Sequence, residues 1–312
     1  MTALDVLAIG EPMVEFNQTR PGEPAYLQGF GGDSSNAIIA AARSGARTAY
    51  VTRVGDDEFG RMFRALWEAE GVDTRGVATD PQAHTAVYFV THGRDGHVFS
   101  YLRAGSAASR MRPEDLPLDL VRSARFVHAS GISTAISASA CETVLVAFAA
   151  ARAAGAKISF DSNLRLKLWP LELARATIGA AAGLADYFFP SLEDARALSG
   201  LDDPAAILDW AHGLGAKNVL LKLGAEGVIA SDGARRERVV GIGVNAVDAT
   251  GAGDCFCGAA LARLAAGDPL ADAARYANAA AALATTGFGA VAPLPRAAAV
   301  RQLLNQHRPE AA

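Results

Sequence analysis

The chain has 312 residues, 51% of them hydrophobic and 20% charged, with a formal net charge of -4. That composition supplies one large buried core and excludes wholesale disorder. Lysines and arginines are scattered rather than clustered, so no nucleic-acid surface is expected. The three cysteines, Cys141, Cys255 and Cys257, lack CxxC spacing and fit neither a disulfide framework nor a zinc site.

From the N-terminus, MTALDVLAIGEP carries Asp5 and no basic leader. It reads as a first strand rather than a signal peptide, and no apolar run is long enough to cross a bilayer, so a cytoplasmic protein without membrane contact is expected. Short β-branched runs follow at 4–9, 49–53, 126–129, 158–160, 187–189 and 219–222. Between and after them, alanine-rich segments of helical period cover 35–44, 58–70, 139–154, 171–182, 191–198, 260–266, 270–285 and 295–306. This order predicts an α/β fold, a doubly wound, mostly parallel sheet with helices on both faces.

Two regions depart from the alternation, 13–30 and 84–103. The second contains two alternating strands around Gly93-Arg94-Asp95-Gly96, and Asp-Gly is a strong hairpin signal. With no helix between them, these strands are expected in a small antiparallel β-lid inserted from about 12–32 and 74–104. One face of such a lid suits a ligand. The same layer also suits pairing of subunits, so a homodimer or higher homo-oligomer is expected.

The stretch VDATGAGDCFCGA, Val247 to Ala259, places two glycines and two acids before a helix expected at 255–264, with 244–247 ending an extended segment. A helix entrance leaves amide groups unpaired and carries about half a positive charge. Gly251 and Gly253 keep side chains away from those amides, leaving a hollow for a phosphoryl group; an ordinary turn capped by an acid is the plainer reading. Asp254 tips the balance. An acid would repel a phosphate bound passively there, but it serves if a hydroxyl lies between the two and must lose its proton as it attacks phosphorus. No Gly-Lys-Ser/Thr follows, so this is not a P-loop.

GGDSSNA (Gly31 to Ala37), VGDDEFG (Val54 to Gly60) and DATGAGDCF (Asp248 to Phe256) occur in this order and spacing. On these motifs the chain resembles the ribokinase-like (PfkB) carbohydrate kinases, over essentially its full length as one domain, 1–312. The resemblance implies ATP-dependent phosphorylation of a sugar hydroxyl, with Asp254 as base and the backbone of Gly251, Ala252 and Gly253 as anion hole. LKLGAEGV, Leu221 to Val228, resembles the family's nucleotide-side turn and implies Lys222, Gly224 and Gly227 near ATP, with Asn278 near adenine. A strand-end lysine and a polar helix residue are the structural alternatives. Asp248 and Thr250 match positions that hold a monovalent cation, K+, in some relatives, although a turn role explains them equally. The family's Asn-x-x-Glu motif near Mg2+ stands here as Ser191-Leu192-Glu193-Asp194, which makes Asp194 the candidate and Glu193 the reserve.

Tyr101 and Arg103 share one face of a strand, and Arg165 follows the run at 158–160. Two arginines converging on one pocket would suit an acidic sugar. GEPMVEF at Gly10 to Phe16, the YLRAGSA segment and DSNLR followed by Trp169 also resemble the branch that phosphorylates 2-keto-3-deoxygluconate. That resemblance implies Gly32, Asp33, Ser34, Tyr88, Tyr101, Arg103 and Arg165 around the substrate, with transfer to its terminal 6-hydroxyl. A fructokinase- or ribokinase-type enzyme for a neutral sugar is the alternative, and it predicts arginines facing solvent or phosphate. A sugar-binding regulator without turnover is the alternative outside enzymes, and it has no use for Asp254.

Overall fold

The computed structural model describes residues 4–93 and 96–307. The tip Arg94-Asp95 of the expected hairpin lies outside the described residues. In chain order the elements are β1 (Leu4–Ile9), β2 (Met13–Gln18), β3 (Tyr26–Gly31), α1 (Asp33–Arg43), β4 (Thr48–Gly55), α2 (Glu58–Ala69), β5 (Asp73–Asp80), β6 (Ala86–Gly93) and β7 (Gly96–Leu102). There follow α3 (Leu118–Ser123), β8 (Ala124–Ser130), α4 (Gly131–Ala135), α5 (Ala138–Ala153), β9 (Lys157–Asp161), α6 (Leu171–Gly183), β10 (Tyr187–Phe189), α7 (Leu192–Ser199) and α8 (Pro204–Gly213). The last are β11 (Asn218–Lys222), β12 (Gly227–Ser231), β13 (Arg236–Val240), α9 (Ala252–Ala266), α10 (Leu270–Ala284) and α11 (Ala297–Gln306).

A nine-stranded sheet runs β13-β12-β11-β10-β9-β8-β1-β4-β5, parallel except that β12 pairs antiparallel with both β11 and β13 at one edge. Successive residues of β1 serve opposite faces, as a strand's twofold period requires. Val6 and Ala8 join a core shared with α1, α2, α9 and α10, whereas Leu7 and Ile9 join a second core under α5, α6, α7 and α8. Both faces are covered, which is why these strands are unbroken apolar runs.

The smaller sheet has the order β3-β2-β6-β7. Its outer pairs are antiparallel, but β2 and β6 pair in parallel. Each continues from a strand of the main sheet, β1 and β5, and those two run in the same direction. The boundary expected at residue 74 is corrected by this topology. Asp73–Asp80 pairs with β4 in the main sheet, and its polar alternation is that of an edge strand. Residues 244–247 form no strand; the amides of Val247 and Asp248 bond to Thr285 O instead. Among the described residues no helix is long and apolar enough to cross a membrane.

Candidate functional site at the entrance of α9

Ser130, Asp161 and Lys222 end β8, β9 and β11, so the carboxyl ends of the strands converge on one crevice, the usual ligand side of such a sheet. The entrance of α9 opens onto it. Gly251 is the N-cap with φ 76, a left-handed conformation that glycine adopts without strain. No side chain caps the helix. Ala252 N bonds to Ala249 O at 3.2 Å, but among the described residues no acceptor meets the amides of Gly253 or Asp254. Outside α9's own backbone, a Cβ on Gly253 would meet, among the described residues, Lys222 Nζ at 3.5 Å. The amides of Gly253 and Asp254 are therefore bare, whereas the Ala252 amide, expected in the anion hole, is already engaged within the turn.

Asp254 lies in the first turn of α9 and accepts from Asn36 Nδ2 of α1 at 2.8 Å. Burial pushes its pKa up to about 8; the charge of Asp33 adds to the rise, while the Asn36 hydrogen bond opposes it. Asp33 itself is buried, and burial raises its pKa too. Its Oδ2 accepts from Ser130 Oγ and from Asn163 Nδ2 at 3.2 Å. Asn163 is the one described non-glycine residue with positive φ, 28°, a strain of the kind that collects at functional sites. Among the described residues, Asp33 Oδ1 and Asn36 Oδ1 are buried without a hydrogen-bond partner. Buried acceptors are ordinarily satisfied, so these two suit the donors of a polyol.

Lys222 Nζ reaches both oxygens of Asp161, at 2.8 and 2.9 Å, and stands 3.8 Å from Cys257 Sγ. Burial alone would depress the lysine, but Asp161 outweighs it and the charge is kept. Gly224 and Gly227 have φ 62 and 102, and a Cβ on Gly227 would sit 2.1 Å from Val239 O. Asn278 is buried and donates to Val240 O at 2.9 Å, so its amide is engaged within the protein.

The small sheet supplies the other wall. Tyr88 is buried, donates to Glu15 and stacks on Tyr101 at 6.0 Å. Burial raises its pKa first, with Glu15, Tyr101 and Asp254 adding, which puts this ring in the field of Asp254. Gly32, with φ 99, is the N-cap of α1.

Two expectations need correction. Ser34 is fully buried, with its hydroxyl paired to Tyr50 OH at 2.8 Å, so it offers the crevice no side chain. Arg103 and Arg165 do not converge as free cations. Arg103 forms a buried ion pair with Glu11, whereas Arg165 is exposed and its Nη1 bonds back to Leu164 O at 2.8 Å. Burial forces the first arrangement, since a carboxylate as deep as Glu11 requires a partner.

The cation candidates are held by protein donors. Asp194 Oδ2 accepts from Ser162 Oγ at 2.7 Å and Leu164 N at 3.1 Å, and its amide is capped by Ser191. Asp248 Oδ1 takes Thr250 N and Oγ1 at 2.9 and 2.6 Å, and its Oδ2 takes Gly289 N at 2.9 Å, the turn role weighed above. Sequence reasoning missed Asn36, although it lies inside the GGDSSNA motif. It also passed over Asp161 and Asn163 of DSNLR, and Glu11 and Glu15 of GEPMVEF.

A doubly wound sheet with a carboxylate at an open helix entrance defines a class, the kinases that phosphorylate sugars. The chain belongs to the pfkB family of carbohydrate kinases, whose model matches residues 3–297. It is 36% identical over 317 residues to probable fructokinase-4 of Arabidopsis thaliana, with 96% of each chain covered. It is also 36% identical over 269 residues to the 2-dehydro-3-deoxygluconokinase of Thermoproteus tenax, covering 82% of this chain and 80% of that one. A putative ribokinase II from E. coli, solved in complex with ATP and Mg2+, superposes with a TM-score of 0.90 at 27% identity, over 97% of this chain and 100% of the other.

Proposed function

We propose that this carbohydrate kinase transfers the γ-phosphoryl group of ATP to the 6-hydroxyl of 2-keto-3-deoxy-D-gluconate, giving 2-keto-3-deoxy-6-phosphogluconate. The kinase chemistry is carried by Asp254 standing in the first turn of α9 beside bare amides. Its carboxylate accepts the hydroxyl proton as the oxygen attacks phosphorus, and the amides of Gly253 and Asp254, with Lys222 beneath them, take up charge on the transferring group. With burial holding its pKa up to about 8, only a minor part of Asp254 is ionised at neutral pH, so activity is expected to rise as pH climbs toward that value.

The acidic sugar is supported by Arg103, whose charge is felt at Asp33, next in the chain of carboxylates to Asp254. Arg165 lies two residues beyond Asn163, on the loop that reaches Asp33. The 36%-identical relative from Thermoproteus tenax points the same way, whereas probable fructokinase-4 of Arabidopsis thaliana, equally identical over more of the chain, favours a neutral sugar. Mg2+ commonly binds through one or two carboxylates together with substrate phosphates, and among the described residues no group of three His, Cys, Asp or Glu could hold a metal by itself. Asp194 fits as the one carboxylate contact to an ion carried by ATP, screening phosphate charge. For K+, Asp248 and Thr250 are carried by the family resemblance, while their side chains already hold the turn. Exposed Val98 and Leu102, on one face of β7, support association of subunits through the small sheet.

A neutral-sugar kinase is the second reading, favoured by the Glu11–Arg103 pair, which offsets the arginine's charge, and by the exposure of Arg165. An ADP-release assay across ketodeoxygluconate, ketodeoxygalactonate, fructose and ribose decides. The proposal expects the highest kcat/KM on ketodeoxygluconate. A higher value on fructose or ribose would replace it with the second reading, and no ADP from any of the four would remove both.

A further inference from the structure

Glu11 sits between β1 and β2 with 1% of its surface exposed, and nothing in the phosphoryl-transfer reading uses it. Both of its carboxylate oxygens face one segment beyond β7. Oε1 accepts from Ser106 Oγ, and Oε2 meets the Arg103 guanidinium at Nη2. Arg103 is itself largely buried, with its guanidinium 5.8 Å from the Tyr101 ring centroid; it meets Glu11 as an ion pair, and among the described residues neither its Nε nor its Nη2 makes a hydrogen bond. The start of α1 is braced at the same residue, because a Cβ on Gly32 would lie 2.4 Å from Glu11 O. Glu11 therefore joins the helix that carries Asp33 and Asn36 to the segment that carries Arg103.

We propose that Glu11 is a positioning residue for sugar selection. Held by the charge of Glu11, Arg103 is kept in place rather than left a free cation, and its Nε, without a partner among the described residues, is left for an acceptor on the sugar. Buried donors are ordinarily satisfied, and here the bound sugar satisfies this one. Ser106 fixes the second oxygen of Glu11, so the carboxylate cannot turn away from the arginine. The inference rests on the reading that Arg103 faces the sugar, and it deepens that reading by naming what aims the arginine.

The test is a double-mutant cycle on the full-length enzyme, read with whichever sugar it turns over best. Glu11→Gln is expected to lower kcat/KM for the sugar by about tenfold or more and to leave KM for ATP within about twofold. If Glu11 acts through Arg103, Glu11→Gln added to Arg103→Ala costs no more than about a further twofold. Multiplying losses, or a KM for ATP that moves as much as that for the sugar, would show a merely structural role and overturn the proposal. Should Glu11→Gln fail to fold, Ser106→Ala carries the same comparison, with a smaller loss that must vanish in the Arg103→Ala background. Failure of the underlying reading looks different: Arg103→Ala by itself would leave sugar kcat/KM unchanged, and the proposal would fall with it. A preference for fructose would overturn the acidic-sugar assignment but leave the coupling to be read on fructose.

Discussion

Asn36 and Asp254 are separated by 218 positions in the chain and by 2.8 Å in space, the amide of one donating to the carboxylate of the other. The contact ties α1, the first helix of the fold, to the entrance of α9. It also works against the burial that raises the Asp254 pKa. The orientation and the basicity of the acid at the α9 entrance thus depend on a residue from the opposite end of the sequence.

Replacing Asp254 by Asn should lower kcat by roughly 10²–10⁴, the usual reach of a positioned base. The variant should also gain stability relative to the wild type as pH rises. The native pKa of about 8 lies above the ordinary 3.8, so the folded state holds a proton that the unfolded chain releases. Wild-type stability therefore falls between those two values and levels off above the higher one. Thermal unfolding of both proteins at about pH 5 and about pH 9 checks this; a constant difference in Tm would show that Asp254 is not buried as a high-pKa acid.

Asn36→Ala should shift the acidic limb of the kcat/KM profile to higher pH, because the hydrogen bond that favours the ionised acid is lost. Activity at neutral pH should fall about ten- to a hundredfold, in keeping with about 1.5–3 kcal/mol for a hydrogen bond to a charged group. The pH–rate profile is the readout. An unmoved limb would separate Asn36 from the ionisation of Asp254.

The two glycines of the entrance should respond differently to alanine. At Gly251 the left-handed φ costs about 1–2 kcal/mol for any L side chain, and a Cβ would press on Ala290 at 3.0–3.2 Å. Gly251→Ala should therefore lose stability as well as activity. Gly253→Ala should fold normally, yet its methyl would stand 3.5 Å from Lys222 Nζ at the helix entrance, so KM for ATP should rise and kcat fall. Denaturant midpoints paired with steady-state kinetics test both; a fully active Gly253→Ala would remove the hollow from the mechanism.

Asn163→Gly should relieve backbone strain and leave the Tm unchanged or higher, since φ 28 is unfavourable for any side chain. It should nevertheless raise the sugar KM, because the hydrogen bond that helps to orient Asp33 goes with the side chain. Lost stability without a kinetic effect would assign Asn163 to folding alone.

Much of the architecture was readable before any coordinates. The core strands announced themselves as apolar runs because both sheet faces are covered, and the helices as alanine-rich segments of the right period. The α9 entrance was readable because glycine and acid spacing is a local property. β5 was harder. Its exposed alternation in DTRGVATD resembles that of a small-sheet strand, and only its pairing with β4 puts it in the main sheet. The sequence marked Cys257 only as lacking disulfide or zinc spacing, and its place beside Lys222 and Asp161 depends on three elements meeting.

The sequence alone determined that a carboxylate would follow a glycine-opened helix start, since backbone freedom and helix polarity act over a few residues. It also determined the alternating order of strands and helices, through the periodicity of apolar side chains. Which groups would share the buried crevice was decided by the tertiary structure. The partners Asn36–Asp254, Glu11–Arg103 and Asp161–Lys222 are 218, 92 and 61 residues apart. A charge removed from water must find a partner wherever the packed chain brings one, and no local pattern names that partner in advance.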